Sequence, residues 1–187
     1  MIGAISASTD TYFLPILMKQ LLRANATIIS GYKGSPEILA AMERREVDAL
    51  VALLANVTSV NSSYLKENKV RPVLQFGRQR SVELPTVPTA AEWADTEADK
   101  QLFQFYGIKY EMSYPILVAP GVPVERVAAL RVAFDQTMAD PAYQADAKRM
   151  GLALNPLGGG EMHDLMTIIN DMPDSLIVRL HALISGP

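Results

Sequence analysis

The sequence predicts an α/β fold, a parallel or mixed sheet flanked by helices. Two observations carry this. Short apolar or β-branched runs alternate with helix-period patterns over residues 1–76, the order that builds a parallel sheet covered by helices. Three of those runs also empty into loops of small, hydroxyl-bearing residues that lead straight to helix starts: Ile5–Thr11 (ISASTDT), Gly31–Pro36 (GYKGSP) and Leu54–Ser59 (LANVTS).

Taken in order, Ile2-Gly3-Ala4 is strand-like. Phe13, Leu14, Ile16, Leu17, Met18, Leu21 and Leu22 then make a broad apolar face, opposed by Lys19, Gln20 and Arg23, on a largely buried helix. Pro15 is compatible with a helix that begins between Thr9 and Thr11, because first-turn N–H groups lack intrahelical partners. Ala26–Ser30 is a β-branched strand. Ser35 is the expected cap of the next helix, with Pro36 at its first position, Glu37 in its first turn and Ile38, Leu39 and Met42 facing inward. Ala49–Ala55 reads as a buried strand, Ser59–Asn68 as a weak helix and Arg71–Gly77 as a further strand. Residues 77–95 form a loop punctuated by prolines, within which Thr89 caps a short helix through Glu92 and Trp93. A polar helix follows over Thr96–Gln104, then a strand over Tyr114–Pro120. Pro123 opens an amphipathic helix with Val124, Val127, Leu130, Phe134 and Met138 at helical spacing. A helix ended by Gly151, a short strand Leu152–Pro156 and two further helices complete the chain.

Composition narrows the function. Of 187 residues, 49% are hydrophobic and 20% charged, with a net charge of −3, a globular balance with no basic footprint for nucleic acid. With no cysteine, disulfides, thiol catalysis and cysteine-based zinc sites are excluded. The apolar run Ala49–Ala55 is far shorter than a membrane span, and the first residues, MIGAISAST, carry no signal-peptide pattern. The nucleophile-elbow, P-loop and G-x-G-x-x-G patterns are absent. The two histidines, His163 and His181, fall on separate helices without an i,i+4 partner, and Glu43, Glu46 and Asp48 suit a solvated helix end. No catalytic residue, metal site or cofactor is therefore expected.

The three hydroxyl-rich loops remain. In a doubly wound sheet such loops leave the carboxyl edge of the strands, where ligands bind, and their N–H and O–H groups suit a carboxylate. The other reading of the same residues is that they are helix caps and nothing more.

Residues 31–49 (GYKGSPEILAAMERREVDA), Val73–Glu92 (VLQFGRQRSVELPTVPTAAE) and residues 115–159, beginning PILVAPGVPVERVAALR, resemble the substrate-binding receptors of tripartite tricarboxylate transporters, the Bordetella-uptake-type extracytoplasmic solute receptors. The three segments match in order over nearly the whole chain. The resemblance implies a periplasmic-binding-protein-like protein of two lobes, not an enzyme, that captures a small carboxylate or related organic metabolite in the periplasm and delivers it to the membrane permease subunits of the transporter. It implies residues 1–110 as lobe two and 111–187 as a segment returning to an incomplete lobe one, family members being longer at the N-terminus by a signal peptide and the first elements of that lobe. It also implies that Ser6, Ala7, Ser8 and Thr9 form the carboxylate loop of lobe two and that Tyr32, Gly34 and Ser35 form a second wall, with Asn56 and Thr58 as further candidates. A homodimer through the C-terminal segment, burying Ile116, Leu117, Val127, Leu130 and Phe134, is expected from the apolar face that lobe-one elements would otherwise cover. The alternative function is an effector-binding regulatory domain of the same two-lobed architecture.

Overall fold

In the computed structural model, which describes residues 1–60, 62–152 and 154–185, the chain is mixed α/β with a small parallel sheet flanked by helices. The sheet has three strands, β1 (Ile2–Ala4), β2 (Ile28–Ser30) and β3 (Ala49–Leu50), in the order β2-β1-β3. Ile2 lies opposite both Ile28 and Ala49, so all three strands run the same way with β1 in the centre. The centre is where burial concentrates: all of β1 is buried, whereas β2 is largely exposed.

Helix α1 (Asp10–Leu21) connects β1 to β2, and α2 (Ser35–Glu43) connects β2 to β3. Leu14, Leu17 and Leu21 are buried along α1, one helical face as the spacing predicts. Pro15 lies beyond the first turn and is buried with them, so it removes one intrahelical hydrogen bond rather than none. Ile38, Ala41 and Val47 form a compact core cluster, against which Ile5, Tyr32, Met42 and Leu50 pack. A Cβ on Gly3 would stand 2.5 Å from Ile38 Cγ2; α2 reaches the sheet this closely because β1 carries no side chain there.

The expected cap of α2 is corrected. Gly34, not Ser35, holds the capping position, with no side-chain hydrogen bond, and Ser35 is already helical. The Glu37 carboxylate reaches back instead and accepts from Lys33 N at 2.6 Å. Thr89 does cap as predicted: its hydroxyl accepts from Glu92 N, while the Glu92 carboxylate accepts from Thr89 N, a reciprocal box at the start of the 3₁₀ turn Ala90–Trp93. Arg80 grips the same carboxylate through Nε and Nη2, at 2.9 and 2.5 Å. The guanidinium first, and the Thr89 N–H second, lower the Glu92 carboxyl to about 2.

Among the described residues, three expected strands are not found. Arg71–Gly77 supplies a single parallel bridge, Gln75 opposite Thr89, because the Gln75 side chain organises a loop: its amide donates to Leu84 O and Val87 O and accepts from Ser81 N. Tyr114–Pro120 pairs with no strand among the described residues; Tyr114, Ile116 and Leu117 are each at least 79% exposed. Proline at positions 115 and 120 removes ladder donors. Leu152 and Leu154–Pro156 are also irregular, and Ala153 lies outside the described residues. The weak helix expected over Ser59–Asn68 is a π-helical turn, Asn56–Val60, followed by the short helix α3 (Ser62–Lys66), with Asn61 outside the described residues.

The remaining helices are α4 (Glu97–Glu111), α5 (Val124–Ala139), α6 (Pro141–Arg149), α7 (Gly159–Asn170) and α8 (Asp174–Ser185). α4 continues well beyond the predicted Gln104. Asp140 caps α6 by accepting from Ala142 N and Tyr143 N, and Gly151 ends it at φ +71°, a conformation that glycine takes without Cβ strain.

By contacts the chain divides into two compact units, Met1–Tyr106 with Pro173–Pro187, and Gly107–Met172. In the first unit α8 packs against α1, and Arg179 on α8 pairs with Asp99 on α4 at 2.5 Å. In the second, Leu165 and Ala147 are buried, while α5 buries no residue: Val124, Leu130 and Val132 are each more than half exposed.

Candidate functional site

The three hydroxyl-rich loops all leave the carboxyl edge of the sheet, as parallel strands require. The first two are tied backbone to backbone: Gly31 N donates to Ile5 O at 3.0 Å and Tyr32 N to Ala4 O at 3.4 Å. Gly31 sits at φ +116°, which carries the chain out of β2 towards its neighbour. The third loop leaves the same edge after β3.

Within the first loop the hydroxyls are ordered by their proton count. Thr9 Oγ1 donates to Ser6 O at 2.8 Å and accepts from Ser6 N at 3.4 Å. Its one proton is thereby used, so in the 2.7 Å contact with Thr11 Oγ1 it is Thr11 that donates, while Thr11 accepts from Ile5 N at 2.9 Å. Thr9 and Thr11 together form a clamp that holds the loop shape. Ser6 Oγ and Ser8 Oγ are 3.1 Å apart; that contact uses one of their two protons and leaves the other unspent. Ser6 is half-buried, and Ala7 and Ser8 are exposed.

In the second loop Tyr32 is anchored by packing on the Ile38, Ala41 and Val47 cluster. Gly34 is extended, at φ 172° and ψ 175°, and it brings the chain into α2 without a side chain in the way. Ser35, having no capping bond to make, keeps its hydroxyl for other partners. In the third loop Thr58 Oγ1 donates to Leu54 O at 3.1 Å and Asn56 N to Leu53 O at 3.0 Å. Both residues lie in the π-helical turn, a rare geometry found frequently at functional sites.

Sequence reasoning passed over three residues at this edge. Thr11 completes the clamp, and its signal was the Thr-x-Thr spacing. Asp10, in the first turn of α1, accepts from the buried Tyr106 hydroxyl at 2.7 Å; no local pattern links positions 96 residues apart. Lys33, exposed between Tyr32 and Gly34, brings an ammonium group on a flexible stem. Asp10 and Glu37 already put carboxylates at the N-termini of α1 and α2, where the helix dipoles favour them. Hydroxyl groups and Lys33, rather than bare helix ends, are therefore what these loops present.

His163 on α7 and His181 on α8 are exposed and belong to different units. Among the described residues no group of three or more histidine, aspartate and glutamate side chains is placed to hold a metal ion, and no helix is long and apolar enough to cross a membrane. No family model, curated protein or solved structure matches the chain.

Proposed function

We propose that the chain is a non-enzymatic solute-binding protein that takes a small carboxylate at the carboxyl edge of its sheet. In this reading it is a periplasmic receptor of the tripartite tricarboxylate transporter kind, with residues 1–110 as the ligand-binding lobe and permease subunits as its membrane partners. The observation that carries the reading is the coupling of the first two loops through Gly31 N and Ile5 O. It ties the loop that carries Ser6 and Ser8 to the one that carries Ser35, whose hydroxyl makes no capping bond. Hydroxyl and N–H donors grouped at one sheet edge suit the oxygens of a carboxylate.

Titration of succinate and citrate into the chain, followed by backbone amide NMR, tests this. Shifts are expected at Ser6–Thr9 and Gly31–Ser35, and Ser35→Ala should weaken the tighter ligand by about 1 kcal/mol, roughly fivefold, as for one neutral hydrogen bond. Shifts confined to other residues, or an unchanged affinity in Ser35→Ala, would count against the site.

The proposal extends to self-association through the C-terminal segment. Ile116, Leu117 and Leu130 are 79%, 82% and 54% exposed, and exposed apolar side chains, where they form one patch, mark association surfaces. Light scattering should give twice the 20.4 kDa chain mass; a concentration-independent monomer would exclude the dimer.

A further inference from the structure

A second site lies at the opposite edge of the same sheet. Where α2 ends and the chain turns into β3, there is an open cavity of about 550 Å³, within the roughly 300–1,000 Å³ usual for small-molecule pockets. Leu39, Met42, Val47 and Val70 provide an apolar lining, of which Leu39 and Val47 belong to the buried core.

Charged groups around it other than Arg45 are held in ion pairs, two carboxylates sharing Lys69. Lys69 Nζ lies 3.3 Å from Glu43 Oε1 and 3.0 Å from Glu67 Oε2, and 5.5 Å over the Tyr64 ring. Asp48 pairs with the Met1 ammonium. Arg44 is held by Glu46, Nε to Oε1 at 2.7 Å. Arg45 lines the cavity and makes no ion pair among the described residues.

Its backbone is a further sign. Arg45 sits at φ +61° and Asn68, next to Lys69, at φ +54°, so two left-handed residues turn the chain at the rim of this cavity. Glycine would occupy position 45 with less strain. Strain held by a non-glycine residue at a pocket is a recurrent mark of function.

We infer that this cavity is a binding site for a small apolar monocarboxylate, such as a medium-chain or aryl acid. Arg45 supplies the bidentate partner for the carboxylate, and the half-buried Met42 and Val70, backed by the core residues Leu39 and Val47, meet the apolar body. The site is separate from the loops at the carboxyl edge and does not depend on them.

Octanoate is the probe, titrated into the full chain by calorimetry and NMR. Saturable one-site binding is expected, with shifts at Met42 and Val47. Octylamine, the same body with the opposite charge, and acetate, the same charge without the body, should each bind about tenfold more weakly or worse. Arg45→Gly should fold with a raised melting temperature and still bind octanoate about tenfold more weakly. Saturating succinate should leave the octanoate affinity unchanged, whether or not succinate itself binds. Absence of saturable octanoate binding, equal binding of octylamine, competition by succinate, or undiminished affinity in Arg45→Gly would each overturn the inference.

Discussion

Asp99→Ala is expected to destabilise the protein by about 2–3 kcal/mol, the cost of losing two hydrogen bonds to one buried carboxylate with its cation left partly in water. Asp99 is only 7% exposed. Its Oδ1 accepts from Arg179 Nη2 at 2.5 Å and its Oδ2 from the Thr96 hydroxyl at 2.7 Å, while Thr96 Oγ1 accepts from Asp99 N at 3.1 Å. One carboxylate therefore secures the first turn of α4 and fastens α8 to it. Arg179 is 42% exposed, so the cation left behind regains water, which keeps the cost below that of a fully buried broken pair. Arg179→Ala should accordingly cost less than Asp99→Ala. Asp99→Asn, which retains a polar partner for Thr96, should fall between wild type and the alanine variant. Urea denaturation gives the ranking, and hydrogen exchange in α8 gives its origin. A loss under about 0.5 kcal/mol, the level of ordinary surface substitutions, would show that α8 is held by apolar packing alone.

Gly3→Ala should cost about 1–3 kcal/mol through overpacking, although alanine is normally the better strand residue by roughly 0.5–1 kcal/mol. The sign of the effect thus decides whether α2 really lies on β1. The clash falls on Ile38 Cγ2, part of a side chain that is 0% exposed and has no open space to retreat into. Ile38→Ala removes that methyl and by itself costs about 2–5 kcal/mol, as for other buried isoleucines. Combined, the two substitutions should cost clearly less than their sum, because each relieves the other. Additive losses in chemical denaturation would mean that the glycine and the helix do not meet.

Much of the local structure is legible from residue types. The Thr89 cap, the Asp140 cap and the stop at Gly151 follow from which side chains satisfy helix ends and where glycine lets the chain turn. At Ser35 the same logic stopped one residue short. The extended Gly34 took the capping position, and Glu37 satisfied the Lys33 N–H, so a serine before Pro-Glu became the first helical residue. Tertiary packing selected among competing local solutions there.

The candidate site divides in the same way. That loops rich in serine and threonine follow the strands is a property of the sequence, and a parallel order of strands sends them to one edge. Which hydroxyls remain available is decided by contacts. Thr9 spends its proton on Ser6 O and Thr58 on Leu54 O, so these two shape their loops, while the Ser6–Ser8 pair and Ser35 keep hydrogen-bonding capacity. A residue list treats all of them alike.

The sequence by itself determined the alternation of elements, the absence of thiol chemistry and the hydroxyl content of the loops, because these depend on neighbours along the chain. Only the tertiary structure decided which strand-like segments became strands. Ile2–Ala4 found partners on both sides and is buried, whereas Tyr114–Pro120, at least as apolar, has no ladder to join and stays exposed. The same holds for Asp99 with Arg179, 80 residues apart, and for the cavity beside Arg45. A helix carries its hydrogen bonds within itself, but a strand, an ion pair or a pocket exists only when distant parts of the chain supply the other half.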